Sequence, residues 1–290
     1  MIVLFFYIHI VAQYKRSEDL EVYEMDYSKN DKLQEVCDVK QPVLFNYKSV
    51  NPEFFDKLTD ETISDLATSQ DVHVKEIEDY WKAGRAPVEH VILPLSSFLI
   101  LASTDTKSRY FTENNRDLID DTSKIDALFR NNDEFLKPML TVHTKYDICM
   151  GSKGVTTPMR YHTYYRRFLC VNSGKLTVKL TPFKSSKYLH PVKNYENYEF
   201  RSPVNVWKPQ EEYMNDMDKM KAVEVEVTAG NMLYVPPYWW YSVKYNDTDT
   251  LVSEFTYTSA MNGIANSWDW MRNAILSGNT ERVVENNLHK

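Results

Sequence analysis

Side chains able to hold a metal or attack a substrate are few in this sequence, and most lie apart from one another. The seven histidines are His9, His73, His90, His143, His162, His190 and His289. The three cysteines, Cys37, Cys149 and Cys170, form neither a CxxC pair nor the Cys/His spacing of a zinc site. An odd, sparse set of thiols fits a reducing compartment, since three cannot complete a disulfide framework. Cys170 sits in an alternating apolar run and reads as a small buried hydrophobe. Polar and aromatic residues converge in two segments: TPMRYH, from Thr157 to His162, and GNMLYVPPYWWY, from Gly230 to Tyr241. A third polar position of interest is Glu254, inside the run Glu254-Phe255-Thr256-Tyr257.

The elements around these segments must hold them. From Tyr146 onward the pattern has period two. Phe168–Val171, a Ser173-Gly174 turn and Lys175–Leu180 read as paired strands, and Val223–Val227 alternates as VEVEV. Ala229-Gly230 reads as a turn, Met232–Val235 as a strand stopped by Pro236-Pro237, and Tyr241–Lys244 and Leu251–Thr258 as two more strands. Many short strands after a mixed first half predict an antiparallel barrel or jelly roll. Upstream, Gln41–Phe45 suits a strand entered through Pro42. Residues 52–66 and 117–140 carry helical spacing, the latter with a stop near Lys137-Pro138. Val91–Ala102, interrupted by Pro94, reads as a buried element, and Trp268–Leu276 as a closing helix.

Together the two segments resemble the JmjC/cupin-like 2-oxoglutarate oxygenases, particularly the asparaginyl-hydroxylase branch. There the first segment reads T-P-x-H-Y-D and the second G-D-x-L-Y-[IV]-P-x-x-W-W-H. Order and separation agree, and Glu254–Tyr257 resembles the strand that closes that barrel. The resemblance is tight over about 155–258. It is looser over 37–154, where QPVLF is similar to the opening strand and YFTENN to the pre-barrel segment. It implies a mainly β fold with helical additions: a double-stranded β-helix preceded by a mixed α/β region.

The departures bear directly on function. Family members hold Fe(II) through two histidines and one carboxylate, leaving open positions for 2-oxoglutarate and oxygen. The matching positions here are Arg160, His162 and Tyr241. An arginine stays protonated and has no lone pair to offer a metal, and a phenol is a poor ligand for ferrous iron. His162 is the one candidate ligand, set against a reading as a satisfied barrel-interior histidine. The co-substrate pocket implied by the resemblance comprises Thr157, Lys175, Glu254 and Trp240. Lys175, beside the turn glycine, reads equally as a solvated strand-start lysine. An inward Arg160 needs counter-charge, so Arg160–Glu254 or His162–Glu254 contact is expected in place of metal coordination, with a bound anion as the alternative. The aromatic stretch Tyr195–Trp207 is expected to cover the barrel mouth, with His190 at the surface of that insertion.

The remaining composition sets limits. The net charge of -7 over 290 residues argues against nucleic acid, and Lys15-Arg16 and Arg166-Arg167 read as solvated edges or topology signals. Residues 2–12, IVLFFYIHIVA, are apolar except for His9 and are too short to span a bilayer. They read as the first strand of the fold or, favoured by the polar stretch after them, as a membrane anchor. Lys15-Arg16 would then place the domain on the cytosolic face. The expected divisions are 1–16 anchor, 17–145 mixed N-terminal region, 146–260 barrel and 261–290 C-terminal helical segment. The expectation is a non-catalytic binding or structural module with an unidentified protein partner and no cofactor. The alternatives are a divergent Fe(II)/2-oxoglutarate dioxygenase recruiting metal through His162, and a metal-free pocket binding a small anion through Arg160 and Lys175.

Overall fold

Short apolar runs, each alternating in and out, assemble into two facing sheets. A computed structural model describes residues 2–288 except 60, 61, 64, 66–69, 85, 121 and 122. Leu66, the last apolar position of the expected 52–66 helix, lies outside the described residues. The strands in chain order are β1 Tyr23–Glu24, β2 Val43–Asn46, β3 Asp71–Glu76, β4 Val91–Pro94, β5 Tyr110–Thr112, β6 Thr141–Gly151, β7 Arg160–Tyr161 and β8 Arg166–Ser173. They continue as β9 Lys175–Thr181, β10 Val192–Asn194, β11 Glu199–Arg201, β12 Val223–Thr228, β13 Asn231–Tyr234, β14 Trp240–Tyr245 and β15 Leu251–Ser259. One sheet runs β1-β2-β13-β8-β15-β6-β5-β3-β4 and the other β10-β11-β7-β14-β9-β12. Leu169, Val171 and Val252 of the first meet Leu180, Val243 and Tyr245 of the second in one buried cluster. This is the jelly roll expected from the strand pattern.

The period of two decides what each strand presents to which layer. On β15, Leu251, Phe255 and Tyr257 join the core under the N-terminal helices, with Phe54, Phe129 and Leu33. The opposite parity, Val252 and Glu254, faces the space between the sheets. On β6 and β8 the same rule sends Tyr146, Ile148, Phe168 and Cys170 outward to that core, and leaves Asp147 and Arg167 facing inward. Gly174 closes the β8–β9 hairpin at φ +66°, where a Cβ would lie 2.5 Å from Thr250 Oγ1. Gly230 closes the turn before β13 at φ +93°, so both expected turns form.

Several expectations change. Ile2–Gln13 is a helix, which removes the first-strand reading. It rests on the short helix Ala260–Ala265, and the Tyr14 hydroxyl donates to the Ala265 carbonyl. Arg16, read as part of a solvated cluster, stacks over Phe183 at 3.7 Å and Tyr238 at 4.3 Å. The expected helix over 117–140 is divided into Arg116–Asp120, Ser123–Arg130 and Asp133–Leu136. Val91–Ala102 splits at Pro94 into an edge strand and the helix Leu95–Thr104, and its Val91 and Ile92 are exposed. The expected boundary at 145/146 falls inside β6, and β1 to β5 of the N-terminal region extend the barrel's own sheet. The closing helix runs over Ser267–Leu288, longer than the pattern implied.

Candidate functional site

A polar cavity of about 290 Å³ opens between the sheets. β7 and β14 bring Arg160 and Tyr241 side by side in register, and the turn after β7 carries His162, whose ring lies 6.3 Å from that of Tyr241. The three positions matching the metal triad therefore do converge. Tyr241 is buried between two guanidinium groups: Arg160 stands 5.6 Å and Arg167 5.3 Å from its ring centroid. Its hydroxyl has no hydrogen-bond partner among the described residues, and burial raises its pKa, so it stays a phenol.

Two carboxylates serve three of the buried cations that line the cavity. Arg160 donates in a bidentate fork to Glu113, from Nη1 to Oε1 at 2.6 Å and from Nη2 to Oε2. Lys75 Nζ donates to the same carboxylate at 2.8 Å. Burial alone would raise the Glu113 pKa, but the two cations outweigh it and hold the carboxyl well below its usual range. Burial likewise opposes charge on Arg160, and Glu113 more than restores it. Arg167 donates to Glu254 Oε2 at 2.6 Å, and Thr256 Oγ1 donates to Glu254 Oε1 at 3.1 Å. The expected Arg160–Glu254 or His162–Glu254 contact is thus replaced by Arg160–Glu113 and Arg167–Glu254. The reason is geometric: β8 lies next to β15, so Arg167 reaches Glu254 first, while Glu113 enters from the loop after β5. Asp147 faces Glu254 across β6 and β15, and accepts from the amides of Asn114 and Asn115, each at 2.7 Å. Burial, reinforced by Glu254, raises its pKa despite Lys145 nearby.

His162 Nε2 lies 3.0 Å from the Val235 carbonyl oxygen, and the neutral ring donates there. Burial, with Arg167 and Arg160 nearby, pushes its pKa well below the usual range. The neutral imidazole has one lone pair to offer, and its neighbours are two arginines and a phenol. Among the described residues no group of three His, Cys, Asp or Glu side chains is placed to hold a metal ion. This donor set does not fit the Fe(II) centre that the resemblance implies.

The expected co-substrate pocket does not assemble as a unit. Glu254 lines the cavity, but Lys175, Thr157 and Trp240 do not. Lys175 shares the outward parity of β9 with Thr177 and Lys179, whereas Leu176, Val178 and Leu180 fill the core. It is half-exposed and pairs with Glu226 at 3.5 Å. Thr157 Oγ1 accepts from the Val243 amide at 2.9 Å, a structural link to β14. Trp240 points away from Tyr241 and packs with Tyr161 and Phe200 under the insertion, donating from Nε1 to Ser186 Oγ at 2.8 Å. The insertion does reach the cavity, through Asn197, Tyr198, Glu199 and Phe200.

Among the cavity residues that escaped the sequence reading are Lys75, Glu113, Lys145, Asp147, Arg167 and the pair His73 and His90. For Arg167 a signal existed, because it shares the parity of Leu169 and Val171. Glu113, inside YFTENN, gives none. Its partner is 47 positions away. Arg166, also read as solvated, is fully buried and pairs with Asp38 at 2.5 Å.

A family model described as a cupin-like domain matches residues 12–268. The JmjC domain-containing protein D of Dictyostelium discoideum is 33% identical over 95 residues, covering 33% of this chain and 21% of that protein. HSPB1-associated protein 1 of Bos taurus is 28% identical over 103 residues, covering 35% of this chain and 21% of that protein. Its Homo sapiens counterpart is 27% identical over 103 residues, with the same shares. The aligned stretch spans about a fifth of the length of these curated relatives.

Proposed function

The chain belongs to the cupin-like domain family, and we propose that within it the protein serves as a non-catalytic binding module, a pseudo-oxygenase whose internal site is held by ion pairs. The observation that carries this reading is the bidentate Arg160–Glu113 pair at the position of a metal ligand. A guanidinium that stays charged repels a divalent cation at the same place. The family's chemistry requires a metal with open positions, and the side chains here offer one neutral imidazole. The cavity nonetheless keeps about 290 Å³ of polar space, enough to receive a small group of a ligand. Arg160, Lys75 and Arg167 are each paired with Glu113 or Glu254, which weakens the small-anion alternative.

The test is metal content and 2-oxoglutarate turnover on protein purified without chelator. The expected outcome is no stoichiometric Fe, Mn or Zn and no turnover, with His162→Ala indistinguishable from wild type. Stoichiometric metal that is lost on His162→Ala refutes the reading.

The reading also includes membrane contact through residues 2–12, with the domain on the cytosolic side. Val3, Leu4, Tyr7, Ile8 and Val11 of this helix are exposed and apolar, which supports it. Among the described residues no helix is long and apolar enough to cross a membrane. The 12-residue helix is about 18 Å long, short of the roughly 30 Å hydrocarbon core of a bilayer.

A further inference from the structure

The nine-stranded sheet ends on a short edge strand, β4, that carries no charged side chain and is guarded only at its last position, by Pro94. β4 pairs with β3 on one side, and no described strand pairs with the other. Unpaired N–H and C=O groups along such an edge are a template for another strand, and proteins usually guard it with charge. The other three sheet ends have that guard: Glu24 on β1, Lys193 on β10, and Glu224 and Glu226 on β12. β4 reads Val-Ile-Leu-Pro, with Val91 60% and Ile92 58% exposed.

The register ties this edge to the cavity. Ile92 pairs with His73, so both side chains share a face. His73 stacks against His90 at 4.7 Å, and both histidines line the cavity. A strand laid along β4 would therefore set one face of its side chains against Ile92 and His90, beside the mouth of the polar cavity.

We infer that β4 binds an extended segment of a partner protein by strand addition, with an apolar residue of that segment against Ile92 and a neighbouring polar side chain directed to the cavity. Main-chain pairing supplies affinity in this mode, and the alternating side chains supply selectivity. A second copy of the chain is a weaker occupant. Four residues paired with their own copy bury far less than the roughly 1,200 Å² typical of a stable interface, whereas a peptide also gains the cavity. The inference rests on the binding-module reading and names the class of partner.

The test selects phage-displayed random peptides on the full chain and synthesises one selected sequence as the probe. The probe should slow amide hydrogen exchange at Val91–Leu93. Its affinity should fall at least about tenfold in Ile92→Lys and in Val91→Asp, and stay unchanged in Ile100→Lys, an exposed position on the neighbouring helix. Both edge variants replace exposed side chains, and their melting curves should match wild type. Failure to select any peptide that protects Val91–Leu93, or binding that survives both edge variants, overturns strand addition. Protection of the same amides that grows with protein concentration in the absence of peptide overturns the choice of occupant in favour of a second copy. None of these outcomes touches the metal and turnover assay. Turnover in that assay would refute the non-catalytic reading without altering the edge-strand result.

Discussion

Glu113 serves two cations, and that asymmetry predicts which side of the network is costlier to break. The side chains of Lys75, Arg160 and Glu113 are 11%, 13% and 7% exposed. Glu113→Gln keeps shape but leaves two cations facing each other with their shared anion gone. Removing one member of a buried ion pair costs about 3–5 kcal/mol, and this variant belongs at that end. Arg160→Met leaves Glu113 with Lys75 at 2.8 Å, so the loss is nearer about 1–3 kcal/mol, the scale of an unsatisfied buried polar group. The double variant should cost less than the sum, with a coupling of about 1–3 kcal/mol. The assay is urea unfolding followed by tryptophan fluorescence, read at unchanged m so that only stability differs. The pH dependence has a definite sign. Glu113 is held well below the ordinary carboxylate range, so its contribution is complete above the unfolded value and is lost only as pH falls through the lower folded value. The gap between wild type and Glu113→Gln should therefore persist through mildly acidic pH and close in stronger acid. Additive single effects, or an Arg160→Met cost above that of Glu113→Gln, would refute the shared-anion account.

Glu254→Gln should couple to Arg167→Met and be additive with Arg160→Met, measured by the same cycle, because Arg167 holds Glu254. Lys40 is nearly fully buried, and burial followed by Arg166 lowers its pKa to about 7. A lysine depressed on folding makes stability rise with pH between about 7 and its ordinary value, and lowers stability below that window. Lys40→Met should thus raise the melting temperature most near and below neutrality, by less than full burial implies because the ammonium stacks on Tyr165 at 4.6 Å. Gly174→Ala should lower the melting temperature by several degrees, since its φ of +66° and the nearby Thr250 leave a Cβ strained. Deleting residues 1–14 should abolish pelleting with lipid vesicles while shifting the melting temperature little; a large fall would make the helix core.

Local pattern in the sequence determined the barrel. Alternation over β8, β9, β12, β14 and β15 and the turns at Gly174 and Gly230 are short-range properties, and a strand's two-residue period fixes which side chains share a face. The convergence of Arg160, His162 and Tyr241 was legible only through the resemblance, whose two motifs hold the triad positions; no local pattern brings β7 to β14. Parity would also have turned Lys175 outward and Arg167 inward. What tertiary structure alone decided is the pairing of charges across distant segments. Glu113 lies in a short loop with no periodicity, and reaches Arg160 only once β5 joins β6 at the edge of the closing strands. The apolar N-terminal run was equally undecided locally, because uniform hydrophobicity fits a buried strand, a helix or a membrane contact alike. It became a helix where Ala260–Ala265 offered it a surface. Which charges meet, and what an all-apolar segment rests against, depend on neighbours far away in the chain, and only packing supplies them.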